Sequence, residues 1–232
     1  MSEMVEVHVL QDPGLIFEAR RLQGERYVHA GFVDSLDPGG VVDDKWVDVA
    51  TYFGALDMAT GEVVGVSRLI PFGVDGLPLL EAFELSSDGH QIMSEIVPAG
   101  LSEVSALAVS PAMTRFGSGR VANALYRAMY QYSVVGVGIT HWCASLDVRV
   151  KAHLQNIHNF LFHEIGEPME YLGSLTVPVT LDLLGQARHF AATAPERNQF
   201  FLAGLVIDLT GDEVRLEAGS AEYMPTIAQP IG

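Results

Sequence analysis

Apolar and polar positions alternate from Val5 to Leu10, the two-residue period of a half-buried strand, and Asp12-Pro13-Gly14 reads as the turn that ends it. From Leu15 to Ala30 the apolar spacing becomes helical around Arg20, Arg21 and Arg26, and Gly31 closes the helix. A loop follows, with turn chemistry at Asp37-Pro38-Gly39-Gly40 and a polar run from Asp43 to Asp48. Tyr52–Asp57 and Glu62–Leu69, joined by Met58-Ala59-Thr60-Gly61, predict a hairpin that Pro71 terminates. The stretch from Pro71 to Gly100 reads as an irregular connection.

In the second half, elements alternate. The pattern predicts a strand over Glu103–Ser110, a helix from Ser118 to about Ser133, a strand over Ile139–Ser145 and a helix from Val148 to Phe162. A short strand at Ser174–Thr180, a helix over Leu181–Ala192 and a hairpin between Phe200 and Leu216 complete the order. Strand, crossover helix and strand imply parallel pairing, whereas the earlier hairpin implies antiparallel pairing. The expected class is α/β, a single mixed, twisted sheet flanked by helices. One domain spans residues 1–216, and residues 217–232 form a C-terminal tail with little periodicity.

Composition narrows the function. A formal charge of -16 argues against nucleic acid as a partner, because affinity for a phosphate backbone needs clustered cations. From Val104 to His163, however, Asp147 is the lone acid beside Arg115, Arg120, Arg127, Arg149 and Lys151, so that stretch is net +4 against -20 elsewhere. A local cationic patch suits a phosphorylated ligand or an acidic carrier protein. Cys143, the single cysteine, sits in an apolar run, excludes a disulfide framework and fits a reducing cytoplasm. No signal-peptide pattern opens the chain and no charge-free apolar stretch reaches membrane-spanning length. His153, His158 and His163 recur every five residues, which is not the i, i+4 pairing of a helical metal site, so no metal is expected.

The chemistry concentrates between Glu103 and Tyr132. A strand runs into Arg115-Phe116-Gly117-Ser118-Gly119-Arg120 and then a long amphipathic helix. The unpaired N–H groups of a first helical turn, with the helix dipole and Arg115 and Arg120, favour phosphate, and Gly117 and Gly119 let the backbone approach it. Glu103 is a candidate general base; a strand-edge carboxylate in water is the alternative. Arg68, flanked by Val66, Leu69 and Ile70, needs a carboxylate to be placed in a sheet, and Asp44 or Asp48 can supply it.

These residues, in this order, resemble the GNAT acyltransferases. More narrowly they resemble the branch of acyl-homoserine-lactone synthases and N-acyl amino acid synthases. The resemblance rests on Arg26-Tyr27, the acidic loop ending in Ala50-Thr51-Tyr52-Phe53, Gly65-Val66-Ser67-Arg68-Leu69-Ile70-Pro71, and Leu77-Pro78 through Phe83. It continues with Glu103-Val104-Ser105, and with Ile165-Gly166-Glu167-Pro168 followed by Tyr171 and Gly173. It spans roughly residues 15–183. Ala106 stands where the branch carries an arginine after its E-x-S, and the phosphate loop is one residue shorter than the usual R/Q-x-x-G-x-G/A.

The resemblance implies transfer of a fatty acyl group from acyl carrier protein or acyl-CoA to the amine of a small molecule such as an amino acid. Acyl-CoA or acyl-phosphopantetheine would be a co-substrate, with no tightly bound cofactor. It implies Glu103 as base and Tyr171 as the group that protonates the departing thiolate; a satisfied core tyrosine is the alternative. Arg115, Gly117, Ser118, Gly119 and Arg120 would hold the donor phosphate, and a backbone N–H at a bulge near Leu107–Val109 the thioester oxygen. Arg26, Asp44, Asp48 and Arg68 would surround the acceptor. An acetyl-CoA-dependent acetyltransferase and a non-catalytic acyl-ligand or partner-binding domain are the competing readings.

Overall fold

The computed structural model describes residues 5–116, 118–202, 205–208 and 215–218. In chain order the elements are β1 (Val5–Val9), α1 (Pro13–Ala30), β2 (Thr51–Asp57), β3 (Val63–Pro71), α2 (Pro78–Ala82), α3 (Ser87–Gly100) and β4 (Leu101–Val109). A 3-10 turn (Pro111–Phe116), α4 (Ser118–Gln131), a π turn (Tyr132–Gly136), β5 (His141–Asp147), α5 (Val148–His158) and β6 (His163–Glu164) follow. The chain then forms β7 (Met169–Tyr171), β8 (Ser174–Asp182), α6 (Leu183–Thr193), α7 (Pro195–Leu202), β9 (Leu205–Asp208) and β10 (Arg215–Ala218).

Eight strands make one mixed sheet in the order β1-β2-β3-β4-β5-β8-β6, with β7 also paired to β8. The early hairpin is antiparallel and β4 runs parallel to β5, as the alternation of elements predicts. A second, two-stranded sheet joins β9 to β10, so Glu217 and Ala218 end a strand rather than begin a tail. Residues 219–232 lie outside the described residues.

Four local differences from the sequence reading have physical causes. Asp12-Pro13-Gly14 opens α1 instead of closing a strand: Asp12 Oδ1 accepts from the Leu15 N–H at 3.0 Å, and proline is pre-set for the first helical turn. The stretch from Pro71 to Gly100 holds two helices. In α3, Gly89, Met93 and Ile96 recur at helical spacing and are buried, and Pro98 lies inside the helix near its end. The helix expected to reach Phe162 stops at His158 because Asn159 takes the left-handed conformation, φ 56°, and caps it. The short strands β6 and β7 carry too few residues to show a period; Leu172 and Gly173, both at positive φ, turn β7 into β8.

The chain forms two compact units, the first comprising the residues up to Ile70 with Ser105–Met129. There Leu10, Ala19, Leu22, Tyr52, Val66 and Ala108 make a buried cluster. The second comprises Pro71–Val104 with the described residues from Tyr130 onward. Its β5 and β8 pair over seven residues, and Phe201 of α7 packs its ring against Tyr130, Phe160 and Phe190.

The Ile165-Gly166-Glu167-Pro168 segment has a packing role in this second unit. Ser86, the N-cap of α3, donates its N–H to the Ile165 carbonyl at 3.0 Å, and a Cβ on Gly89 would lie 2.0 Å from that same oxygen. Gly166 allows a similar approach, since its Cβ would meet the Glu84 carbonyl at 2.6 Å. Gly89→Ala is therefore expected to cost about 1–3 kcal/mol by overpacking, read as a lower thermal midpoint. An unchanged midpoint would show that α3 can lift from Ile165 without penalty.

Candidate active site

β4 begins with three consecutive buried residues, Leu101, Ser102 and Glu103, and it pairs with β5 only as far as Glu103 opposite Cys143. Glu103 is 3% exposed, which overturns the reading of a strand-edge carboxylate in water. An ionised group so buried must be compensated. Its Oε2 accepts the Leu79 N–H at 2.9 Å. Leu79 lies in the first turn of α2, whose own N-cap residue, Leu77, offers no side-chain acceptor. The carboxylate thus caps α2 from the neighbouring strand, a charge-assisted bond to a helix N-terminus. Burial, reinforced by the nearby Glu103, pushes the Cys143 thiol well above its ordinary pKa. Cys143 is a small apolar neighbour of the carboxylate and not a thiolate nucleophile.

The far end of α2 leads to the second predicted catalytic residue. Phe83, which follows α2, meets Tyr171 edge to face with ring centroids 5.1 Å apart. Tyr171 is half-buried at the end of β7. Phe83 also lines an open groove of about 670 Å³, together with Phe72, Leu80, Met93 and Val97. Sequence reasoning missed Leu79 and Phe83 as site residues, although both lie in the Leu77–Phe83 segment that carries the family resemblance.

In the first unit, Arg68 is the centre of a buried polar network. Its Nη2 pairs with Asp44 Oδ2, its Nε donates to Ser105 Oγ at 2.8 Å and its Nη1 to the Tyr52 phenol oxygen at 3.2 Å. Burial lowers the pKa of the guanidinium, and Asp44 and Tyr52 more than offset it, leaving the pKa above its ordinary value. Asp44 is itself fixed, because its Oδ1 accepts the Trp46 N–H at 2.9 Å. Of the two predicted partners, Asp44 makes the pair and Asp48 is exposed. Arg26 is half-buried on α1 and makes no bond to the network. Tyr52 and Ser105 are additions, both within motifs of the resemblance. So is Trp46: Lys45 Nζ lies 4.7 Å from its ring centroid, and its Nε1 is buried without a hydrogen-bond partner.

Ala106, where the related branch carries arginine, is buried and held at φ 60° in the middle of β4. That conformation costs an L-residue about 1–2 kcal/mol and breaks the strand's alternation, as a bulge does. The break falls one residue before the expected stretch at Leu107–Val109. A 3-10 turn over Pro111–Phe116 follows the strand, and α4 begins at Ser118. Gly117 lies outside the described residues, as do the side chains of Arg115 and Ser118. Arg120 is exposed, and a Cβ added to Gly119 would meet nothing within 4 Å. No packing demand requires glycine at 119. Gly119→Ala is expected to leave the thermal midpoint unchanged or higher, since alanine favours helix by up to about 1 kcal/mol, while raising the donor KM several-fold. An unchanged donor KM would remove Gly119 from the phosphate site.

Arg149 pairs with Asp147 at 3.1 Å, Lys151 bonds to Glu164, and the hydrogen bonds from Arg149 hold the Asp147 carboxyl at about 2. Both cations of α5 have local counter-charges, although the Arg149 side chain remains 88% exposed. Among the described residues no group of three or more His, Cys, Asp or Glu is placed to hold a metal ion, and no helix is long and apolar enough to cross a membrane.

A single mixed sheet flanked by helices in this order is the GNAT-type fold. The model of the N-acyl amino acid synthase FeeM family matches residues 18–183, and the chain belongs to that family. It is therefore an acyltransferase, which sets aside the non-catalytic reading. The structure is similar to that of FeeM, "an N-acyl amino acid synthase from uncultured soil microbes", with TM-score 0.61, 18% identity, and coverage of 81% of this chain and 96% of that one. It is also similar to a CoA-dependent acyl-homoserine lactone synthase, BjaI, solved with SAM and isopentyl-CoA, with TM-score 0.57, 19% identity, and coverage of 78% and 84%. A Lactobacillus plantarum protein assigned as an N-acetyltransferase gives TM-score 0.51, 15% identity, and coverage of 77% and 98%. At these identities the likeness establishes the fold. No curated protein matches the sequence.

Proposed function

We propose that this enzyme transfers a long-chain acyl group from a phosphopantetheine thioester to the amine of an amino acid, and that Glu103 takes the proton from the amine. The observation that carries the reading is the buried Glu103 carboxylate, fixed by the Leu79 N–H at the point where β4 and β5 cease to pair. A carboxylate held this way has a set orientation and little water around it, the conditions in which a base acts on a weakly acidic ammonium. The neutral amine nitrogen then attacks the thioester carbonyl carbon, the C–S bond breaks, and the electron pair leaves on sulfur. Tyr171 supplies the proton that makes the leaving group a thiol and is reprotonated by the second proton that the amine nitrogen loses as the amide forms, and the Glu103 proton returns to solvent. The bulge at Ala106 supports a backbone N–H as the group that polarises the thioester oxygen.

The Arg68–Asp44 network, with Tyr52 and Ser105, orders the acceptor loop, and the Trp46 Nε1–H is offered to an acceptor oxygen. Gly119 and Arg120 face the donor phosphate. The donor is acyl-CoA or an acyl carrier protein, which share the phosphopantetheine arm. The BjaI complex supports the first. The second is supported by α5, which contains no acidic residue and exposes Arg149, Val150 and Ile157. The lone buried cysteine supports a cytoplasmic site of action.

The purified protein, given dodecanoyl-CoA, dodecanoyl carrier protein or acetyl-CoA with a pool of amino acids, should yield long-chain N-acyl products detected by mass. Acetylated amines alone would favour an acetyltransferase instead. Arg149→Glu should slow the carrier-protein donor by at least tenfold more than the CoA donor. Equal effects would remove α5 as a docking surface.

A further inference from the structure

The end of α5 and the start of α7, both in the second unit, gather basic side chains that the reaction steps above do not use. The rings of His153 and His158 meet edge to face with centroids 5.0 Å apart. From α7, Arg197 Nη2 reaches the Ile157 carbonyl at 3.5 Å, which sets the guanidinium at the end of α5. Among the described residues its side chain makes no other hydrogen bond and has no carboxylate partner. His158 is half-buried, and its Nδ1 is buried without a hydrogen-bond partner, which puts the proton of the neutral ring on Nε2. Burial lowers the His158 pKa, and Arg197 and then His153 lower it further.

The acids around this cluster are engaged or exposed. Asp147 caps α5 and pairs with Arg149, and Glu164 bonds to Lys151. Gln186 of α6 packs against the residues after α5 by bonding the Asn159 carbonyl and the Leu161 N–H. That helix adds Arg188 and His189, and its Asp182 is the N-cap. On α7, Glu196 is exposed. Two imidazoles alone would suit a metal ion, but the guanidinium beside them opposes any cation. Donors of one sign, left without counter-charge, suit a compact anion with several oxygens. Arg197 also lies beyond residues 18–183, the part that the family model matches.

We infer that His153, His158 and Arg197 form a binding site for a small phosphate, free or as a monoester, with none of the residues assigned to the donor phosphate. The site is independent of the acyl-transfer steps. It is also pH-dependent, because a bound dianion favours protonated His158. The His158 pKa therefore rises on binding from its lowered position, and affinity strengthens as pH falls through the ordinary histidine value of about 6.5.

Sulfate keeps its charge across this range and is the probe. It should be titrated into the full chain at about pH 8 and about pH 6, with chloride at matched ionic strength as control, while NMR follows the histidine rings. The His158 signals, identified by their loss in His158→Gln, are expected to shift saturably, with sulfate bound about three- to tenfold more tightly at the lower pH. Arg197→Gln should weaken sulfate by about 10- to 100-fold. Inorganic phosphate and glycerol 3-phosphate, titrated in the same way, separate the two sources: the tighter of them marks the form that the site takes. Signals that move no more with these anions than with chloride would overturn the site, as would equal sulfate affinity in Arg197→Gln. Affinity that is flat or weaker at the lower pH would remove His158 from it. Should Arg197→Gln fail to fold, judged by its thermal midpoint, His153→Asn at an exposed position decides in its place, with weaker sulfate binding expected and unchanged binding contradicting the site.

Discussion

Glu103→Gln is expected to lower turnover by about 10²- to 10⁴-fold while moving the thermal midpoint little. The two effects separate because the carboxylate does two jobs. Its Oε2 accepts the Leu79 N–H, and a glutamine of the same shape can still present an oxygen there. What the amide lacks is the capacity to take a proton from an ammonium. Glu103→Ala, by contrast, loses the cap as well, at a cost of about 0.5–2 kcal/mol, and should lower both turnover and midpoint. A glutamine variant with wild-type turnover would leave Glu103 as a structural cap alone. If the glutamine lost as much stability as the alanine, the Leu79 bond would not be the interaction that holds this carboxylate.

The largest stability effect is expected at Arg68. Arg68→Ala strands the Asp44 carboxylate, 11% exposed at its side chain, and withdraws the donors that satisfy Ser105 Oγ and the Tyr52 phenol oxygen. Breaking a buried pair from one side costs about 3–5 kcal/mol. For a chain of this size each kcal/mol shifts the midpoint by roughly 2–4 °C, so a fall of about 6–20 °C should be read by calorimetry. Removing both charges, with Arg68→Met and Asp44→Leu together, should recover most of the loss, because the pair's desolvation cost disappears with it. Arg68→Lys should recover little, since an ammonium cannot reproduce the fork that reaches Asp44, Ser105 and Tyr52 at once. A midpoint within about 2 °C of wild type for the alanine variant would mean that the network contributes nothing to folding.

The fold was legible where a repeat of two or 3.6 residues persists. The first strand, α1, the early hairpin, β4, α4 and β5 follow from periodicity, and alternating strand and helix gave the parallel pair of β4 and β5. The region from Pro71 to Gly100 was opaque because its helices are marked by tertiary signals. Pro78 and Pro98 look like breakers, α2 is capped by Glu103 from another element, and Gly89 is small because of the Ile165 carbonyl. The Arg68–carboxylate pair could be anticipated from the cost of an arginine in an apolar strand. The choice of Asp44 over Asp48 depends on a loop conformation that local spacing does not encode. Cationic character in the second half was visible in the sequence. Its division into the pairs Arg149–Asp147 and Lys151–Glu164 required three-dimensional neighbours.

The central claim is that this chain makes an amide by direct transfer of an acyl group from a thioester to an amine. The most direct measurement follows thiol release and N-acyl amino acid together, in one reaction mixture, with dodecanoyl-CoA and dodecanoyl carrier protein as separate donors. The account predicts that, with at least one of these donors, thiol and amide appear in equal amounts, that thiol release depends on the amino acid, and that both signals fall together in Glu103→Gln. Thiol released without amide, or at the same rate with no amino acid present, would contradict it.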